Sequence, residues 1–388
     1  MMQFTNTYKL KVSFLIITLL THIFLLNCSK MVIRDEVLNK ASFPNWTQYG
    51  GNAQRTNAYP LSVSLPLKLI RQHKTNTAIE KTLIVVDGIL YFATMDGEVH
   101  AILISTGEDI GHKKLDISST ICYNNHHLII ARRYGDDTLY DLDLHSNKYL
   151  WRINAGDINS EPLLTSEGII ITALYNHIDL YSIDSGKKLW SYDTQDQVRS
   201  SPAAAFGIVV FGCDDGFVYA LQTTSGEMIW KFKTGASVQS IPAIDSEDKI
   251  VYFGSSDKNF YALHLEDGKE TWRFKTNGQI LNGAAISGER IIFGSTDRNI
   301  YCLNKKNGKL LWKATAKSVV STSPLIAGNM VFWGSLDHFF YAAAVNNGEL
   351  IWQFKANGRV RTTPVVWGDY FICASENNYL YFFKPGGK

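Results

Sequence analysis

A glycine followed four residues later by a tryptophan recurs along this chain, at Gly186/Trp190, Gly226/Trp230, Gly268/Trp272, Gly308/Trp312 and Gly348/Trp352, and Trp151 keeps the beat with Asn147 in the glycine slot. Successive tryptophans from Trp151 to Trp352 lie 39, 40, 42, 40 and 40 residues apart. A fixed period of this length means a repeat architecture, in which each unit buries its apolar face against its neighbours. A chain of 388 residues would hold two or three ordinary domains, but a period running through most of it predicts one closed structure.

Each repeat resolves into four short strands. In one of them Ser201 and Pro202 open a first strand, Ile208 to Phe211 make a β-branched second, Phe217 to Leu221 a third and Met228 to Lys233 a fourth. The turns between them, at Phe206-Gly207, Cys213-Asp214-Asp215-Gly216 and Thr224-Ser225-Gly226, use Gly or Asp to reach positive φ or close a hairpin. Four antiparallel strands per ~40 residues are the signature of a β-propeller blade, and radial closure spares such blades long exposed edges. The aromatic slot of the third strand counts the blades: Tyr140, Tyr181, Tyr219, Tyr261, Tyr301, Tyr341 and Tyr381, with His100 one period earlier. The expected fold class is all-β, an eight-bladed propeller of four-stranded antiparallel blades. The last blade ends at YLYFFKPGGK before any fourth strand. Leu67 to Lys74 is expected to supply it, with Ile70 lying 41 residues before Gly111, the first repeat's counterpart of tryptophan. The ring then closes by pairing its two terminal strands.

Before the repeats, Lys9 and Lys11 precede an apolar run from Val12 to Leu26, long enough for a secretory signal but short of the ~20 residues that cross a bilayer. The run ends in Leu25-Leu26-Asn27-Cys28, which resembles a bacterial lipobox with Asn27 where Gly or Ala is usual. The resemblance implies a signal peptide over 1–27 and lipid attachment at Cys28. Ser29, rather than aspartate, then favours the outer over the inner membrane. The alternatives are a cleaved secretory signal that happens to contain a cysteine, and an uncleaved anchor. Residues 28–44 read as a tether. Residues 45–66, with Trp46, Tyr49, Gly50-Gly51 and Arg55, read as a segment packing on the propeller of 67–384, because tryptophans seldom stay exposed. Without Lys9 and Lys11, 36 basic residues face 36 acidic ones, a balance that excludes nucleic-acid binding by bulk electrostatics.

The strings VYALQTTSGEMIWKFKT, FYALHLEDGKETWRFKT and IYCLNKKNGKLLWKAT resemble the repeats of the pyrroloquinoline quinone (PQQ)-like propeller family, which takes in quinoprotein alcohol dehydrogenases and, closest in length, lipobox and blade count, the BamB-like outer-membrane assembly lipoproteins. The resemblance implies that Trp151, Trp190, Trp230, Trp272, Trp312 and Trp352 dock blade on blade over a neighbouring glycine. It also implies a non-enzymatic, lipid-anchored periplasmic scaffold, a monomeric ring whose partner is a periplasmic or outer-membrane protein such as the barrel-assembly insertase. The alternative is a PQQ-binding quinoprotein-like oxidoreductase or a periplasmic ligand sensor.

No cofactor is expected. Quinoprotein dehydrogenases of this family carry adjacent cysteines over the quinone and a calcium site, whereas Cys122, Cys213, Cys302 and Cys373 fall in blades two, four, six and eight. Blades so separated cannot meet the ~4.4 to 6.8 Å Cα spacing of a disulfide. Zinc-protease, nucleophile-elbow and phosphate-loop motifs are absent from the sequence. Asp96, Asp215, Asp257, Asp297 and Asp337 recur at the second hairpin and read as turn formers rather than metal ligands. His112, His126, His127, His145 and His338 lack ligand spacing and read as surface residues. The candidate binding positions are one per blade, three before the Ser/Thr-x-Pro proline slot: Glu80, Thr120, Asn159, Arg199, Gln239, Leu281, Ser321 and Arg361. Strands one and three run in the same direction, so these residues are expected to ring one mouth of the central channel. Arg199 and Arg361, on opposed blades, would hold an acidic partner segment laid across it.

Overall fold

The computed structural model describes Met31, residues 43–116 and residues 118–386. Cys28 and the signal-like run lie outside the described residues, as does most of the tether. Eight sheets form the propeller. Blade one comprises Ile79–Val86, Ile89–Thr94, Glu98–Leu103 and Asp109–Lys114, and blade four Ala203–Ala205, Ile208–Gly212, Phe217–Gln222 and Met228–Lys233. The second strands are buried between neighbouring blades, IVVFG at Ile208–Gly212 along its whole length and those of blades two and six except at their ends. That is why they read as continuous apolar runs, while the outermost strands alternate between exposed and half-buried residues. Phe260 stacked on Phe293 at 3.9 Å is one blade-to-blade contact of this core.

The ring closes as the sequence predicts. Leu67–Lys74 pairs antiparallel with Tyr379–Pro385 as the outer strand of blade eight. A β-bulge between Leu69 and Arg71 matches the bulge that precedes each tryptophan, as between Met228 and Trp230. The bulge corrects the expected alignment by one residue: Arg71, not Ile70, holds the tryptophan slot. A second correction falls in blade three, where Leu180 pairs with Trp190, so Asp179 stands in the aromatic slot and Tyr181 lies two residues along. There the Tyr181 hydroxyl donates back to Asp179 Oδ2 at 2.7 Å. The 42-residue interval between Trp230 and Trp272 arises from a longer turn, Ser246 to Lys249, in blade five. Two acidic residues of the turn and Asp245 at the end of the strand before it clamp Lys305 of blade six, whose Nζ lies 2.6 Å from Asp245 and 3.1 Å from both Glu247 and Asp248.

The tryptophans fasten one blade to the next. A Cβ on Gly186, Gly226, Gly268, Gly308 or Gly348 would run into the indole of Trp151, Trp190, Trp230, Trp272 or Trp312 of the preceding blade. At Gly308, φ of +68° adds a second reason for glycine, since L side chains avoid that region. Each of those five indole N–H groups donates to a carbonyl of the next blade at 2.7–2.9 Å, and Trp352 donates to Leu67 O at 3.1 Å. Arg71 repeats the arrangement without an indole, its side chain lying against Gly107 and its Nη1 donating to Ile104 O. Between blades one and two, Gly111 offers no ring.

Residues 46–59 thread the central channel and touch every blade. The backbone carbonyls of Trp46, Thr47, Ala53, Gln54, Thr56 and Asn57 accept from the N–H groups of Val85, Tyr123, Ala204, Ile244, Ile286 and Ile326, one on the inner strand of each successive blade reached. Gln48 Oε1 accepts from Leu164 N, and Trp46 Nε1 donates to Val366 O, completing the circuit. Ala58–Tyr59 then adds a parallel strand to Leu325–Ala327. These partners sit near the first turn of each blade, so this strap seals one end of the channel.

Candidate functional site

The opposite end stays open. A cavity of about 390 Å³ enters there, and its rim carries Asn159, Arg199, Gln239, Leu281, Ser321 and Arg361. Glu80 and Thr120 line a smaller adjoining recess of about 40 Å³ that shares Lys81, Asn159 and Glu161 with the larger one. The structure therefore brings all eight rim positions to one mouth, as the common direction of the first strands requires.

Both rim arginines are already ion-paired. Arg199 Nε lies 2.9 Å from Asp214 Oδ2, and Gln239 Nε2 donates to Asp214 Oδ1 at 2.9 Å, so one carboxylate ties blades four and five together. Arg361 pairs with Glu376, which also holds Arg359 at 2.6 Å. Asp214 and Glu376 are thus the counter-charges of the rim arginines, while Glu80 accepts a hydrogen bond from Ser118. The arginines remain about half exposed.

The floor lies one step deeper, at the x residues of the Ser/Thr-x-Pro segments. Glu161 accepts from Ser201 Oγ and from Thr82 Oγ1, while the Tyr49 hydroxyl reaches Ser323 and Thr363 at 2.7 and 3.0 Å. Burial and the Glu161 charge push the Tyr49 phenol up to about 12, against the pull of its hydroxyl partners and Arg55. Beneath them Arg55 is wholly buried and spends its guanidinium on carbonyls: Nε to Pro202, Nη1 to Tyr49, and Nη2 to Glu161 and Pro162. Burial pushes Arg55 down to about 10, and the Glu161 charge opposes that shift. Reasoning from the sequence missed Glu161, Lys81 and the buried role of Arg55. The first had a visible signal, a carboxylate in a slot where blades four, seven and eight carry Ser or Thr.

The hairpin aspartates behave as turn caps with a further task. Asp297 accepts from Asn299 N and from the Tyr301 hydroxyl, and Asp215, Asp257 and Asp337 repeat the pattern with Tyr219, Tyr261 and Tyr341. Among the described residues no group of three or more His, Cys, Asp or Glu side chains could hold a metal ion. Three histidines depart from the expected surface placement: His127 is half-buried with Nδ1 2.8 Å from Asp141 Oδ1, His112 packs beside His100 at 5.9 Å, and His338 is half-buried in the second hairpin of blade seven.

The lining does not fit a quinone. Among the described residues Tyr49 is the one aromatic side chain facing the larger cavity and its hydroxyl is engaged, Glu161 is the one carboxylate there, and no cysteine lines it. Such a lining offers no pair of flat walls for a planar cofactor and no cluster of oxygen ligands for its calcium.

A family model described as "Beta-alanine-activating enzyme, beta-propeller" matches residues 158–387, more than half of the sequence. The chain belongs to this family. The propeller is also 28% identical over 134 residues to "Outer membrane protein assembly factor BamB" of Francisella tularensis subsp. tularensis, covering 34% of this chain and 28% of that one. A second BamB, of Nitrosomonas eutropha, is 28% identical over 112 residues, 29% of this chain and 27% of that one. The matches therefore span little more than a quarter of the length of these relatives. Among solved structures, BamB from Moraxella catarrhalis superimposes with a TM-score of 0.70 at 17% identity, covering 82% of this chain and all of that one. Quinohemoprotein alcohol dehydrogenase from Comamonas testosteroni gives 0.75 at 14% identity, covering 92% of this chain and 83% of that one. Both likenesses are of fold. The membership of a PQQ-like propeller family drawn from the repeats is borne out.

Proposed function

We propose that this propeller is a non-enzymatic scaffold, lipid-anchored through Cys28 at the periplasmic face of the outer membrane, that docks a protein partner of outer-membrane assembly at the open channel mouth. The observation that carries the reading is the blind, polar mouth: one end of the channel is sealed by residues 46–59, and the other presents Arg199 and Arg361 half exposed on opposed blades. The relatives named as outer membrane assembly factors support the choice of process. The continuously described chain starts at Phe43, which packs on Trp367 beside the sealed end. A membrane tether on that side turns the open mouth toward other proteins, and rigid loop faces are where propellers concentrate binding residues.

Crosslinking in the native envelope tests the reading. Arg199→Glu with Arg361→Glu is expected to abolish the crosslinked partner while leaving the melting temperature unchanged, since exposed ion pairs contribute only ~0–1 kcal/mol each. A crosslinked partner retained by the double variant overturns docking at the mouth. Cys28→Ala is expected to release the protein from membranes; retention after a high-salt wash overturns the lipid anchor.

A further inference from the structure

The recess beside the main cavity holds an arrangement that the rim arginines do not. Lys81 and Arg133 both line it, both are exposed, and neither forms an ion pair among the described residues. Arg133 instead donates to Asn159 Oδ1 at 2.8 and 3.3 Å, which holds its guanidinium over the recess. Ser119 also lines the recess, is 2% exposed, and its hydroxyl has no hydrogen-bond partner among the described residues. A buried hydroxyl without a partner is costly and native structures rarely tolerate it, so an acceptor that enters the recess removes a standing penalty. Two carboxylates also face this space. Glu80 is bound by Ser118, and Glu161 lies over the buried Arg55. The lining itself is balanced, Lys81 and Arg133 against Glu80 and Glu161, but Arg55, buried beneath the recess and outside its lining, already offsets the Glu161 charge from below, which leaves Lys81 and Arg133 free to take an added negative charge.

From this geometry we infer that the Lys81–Ser119–Arg133 recess binds the carboxylate of an Asp or Glu side chain carried by an extended partner polypeptide. The inference rests on the proposed docking at the channel mouth and names the chemistry of that partner. Size argues for a single group: about 40 Å³ admits one carboxylate and little else. The remainder of the ligand continues into the adjoining cavity of about 390 Å³, where the side-chain amides of Asn159, Gln239 and Asn282 match the donors and acceptors of a peptide main chain. The arginines, quenched by Asp214 and Glu376, steer the segment across the rim, and Lys81 with Ser119 fixes its register.

The test uses the purified full chain in detergent and a fluorescein-labelled twelve-residue peptide of alternating Gly and Glu, with a Gly/Gln peptide as its neutral counterpart, read by fluorescence anisotropy at low salt. The wild type is expected to bind the Glu peptide at least tenfold more tightly than the Gln peptide. Lys81→Met is expected to weaken the Glu peptide about tenfold, and Ser119→Ala about threefold to fivefold. Lys81 is exposed and Ser119 gives up no hydrogen bond, so both variants are expected to melt with the wild type, which separates loss of binding from loss of fold. Equal affinity of either variant for the Glu peptide, or equal binding of the two peptides, overturns the assignment. Free glutarate competing as well as the peptide, at equal carboxylate concentration, also overturns it by assigning the recess to a small acid. The two readings fail separately. If envelope crosslinks respond to the arginine variants but peptide affinity ignores Lys81 and Ser119, only the recess assignment falls; if no partner is crosslinked, docking falls while anisotropy still decides the recess.

Discussion

Replacing Arg55 by alanine is expected to cost more stability than any change on the outer face of the ring. The side chain is fully buried and its guanidinium donates to four carbonyls, at distances that include 3.1 Å to Pro202 and 3.0 Å to Pro162. Truncation leaves those oxygens without a donor and strips the positive charge from beneath Glu161, itself only 6% exposed. Arg55 meets Glu161 through its main-chain carbonyl and a charge interaction rather than a direct ion pair; uncovering a buried charge can cost up to about 3–5 kcal/mol, and each abandoned buried acceptor up to ~1–3 kcal/mol before water relieves it. Because the cavity above can admit water, the lower combined figure applies, and Arg55→Ala should lose about 3–5 kcal/mol. In urea, with a slope near ~3 kcal/mol per molar for a chain of this size, the midpoint should fall by roughly 1 M or more. Adding Glu161→Gln to the variant should recover part of the loss, since the uncompensated carboxylate is then gone. Equilibrium unfolding followed by tryptophan fluorescence reads both effects. A midpoint for Arg55→Ala within ~0.2 M of the wild type, well under the shift argued above, would falsify the claim that the guanidinium bonds the strap to the blades.

Three further outcomes follow from the same geometry. Gly308→Ala should destabilise the ring by about 2–3 kcal/mol, because the residue has φ of +68° and its new Cβ would stand 2.6 Å from the Trp272 indole; a melting temperature equal to the wild type would refute the docking contact. Asp297 is buried enough for desolvation to raise its pKa, yet the Tyr301 hydroxyl and the N–H groups of Asn299 and Asn277 outweigh that and hold it below the ordinary carboxylate value. Its contribution is therefore fully present above the unfolded pKa near ~4 and is lost as pH falls through the lower native value, so Asp297→Asn should flatten the acid limb of the stability profile and cost ~1–2 kcal/mol at pH 7; an unchanged profile counts against the cap. A chain lacking residues 1–74 should melt far below one lacking residues 1–42, because only the longer deletion removes both strap and closing strand; coincident melting curves would refute terminal closure.

Much of the ring was legible because its constraints are local. A second strand buried on both faces must be apolar, as in IVVFG, and a turn at positive φ under an indole must be glycine, so the first leaves its mark along the ring and the second in blades three to seven. Arg71 escaped because a β-bulge shifts register by one residue without altering strand composition. Tyr181 misled because blade three exchanges its aromatic with Asp179 and restores the contact through a hydroxyl two residues away. The rim could be placed from strand direction alone. Its ion pairs could not, since Asp214 and Glu376 come from second hairpins whose approach to the rim depends on the closed ring. The strap left only composition to read: its bonds to the blades are mostly main-chain carbonyls, which any side chain can accompany.

That strap also sets an order of events. A ribosome releases residues 46–59 and the Leu67–Lys74 strand first, yet the partners of both extend to the end of the chain: Trp46 bonds to Val366, and Leu67 pairs with Pro385. Contacts separated by some 300 residues form late, since the loop they close must be ordered at once. The strap therefore gains its bonds blade by blade, and the Leu67–Lys74 strand waits, unpaired, until the last blade emerges. Sealing of the channel then reports that synthesis has finished, and a chain truncated even within blade eight would leave its closing strand exposed to proteases and to other copies.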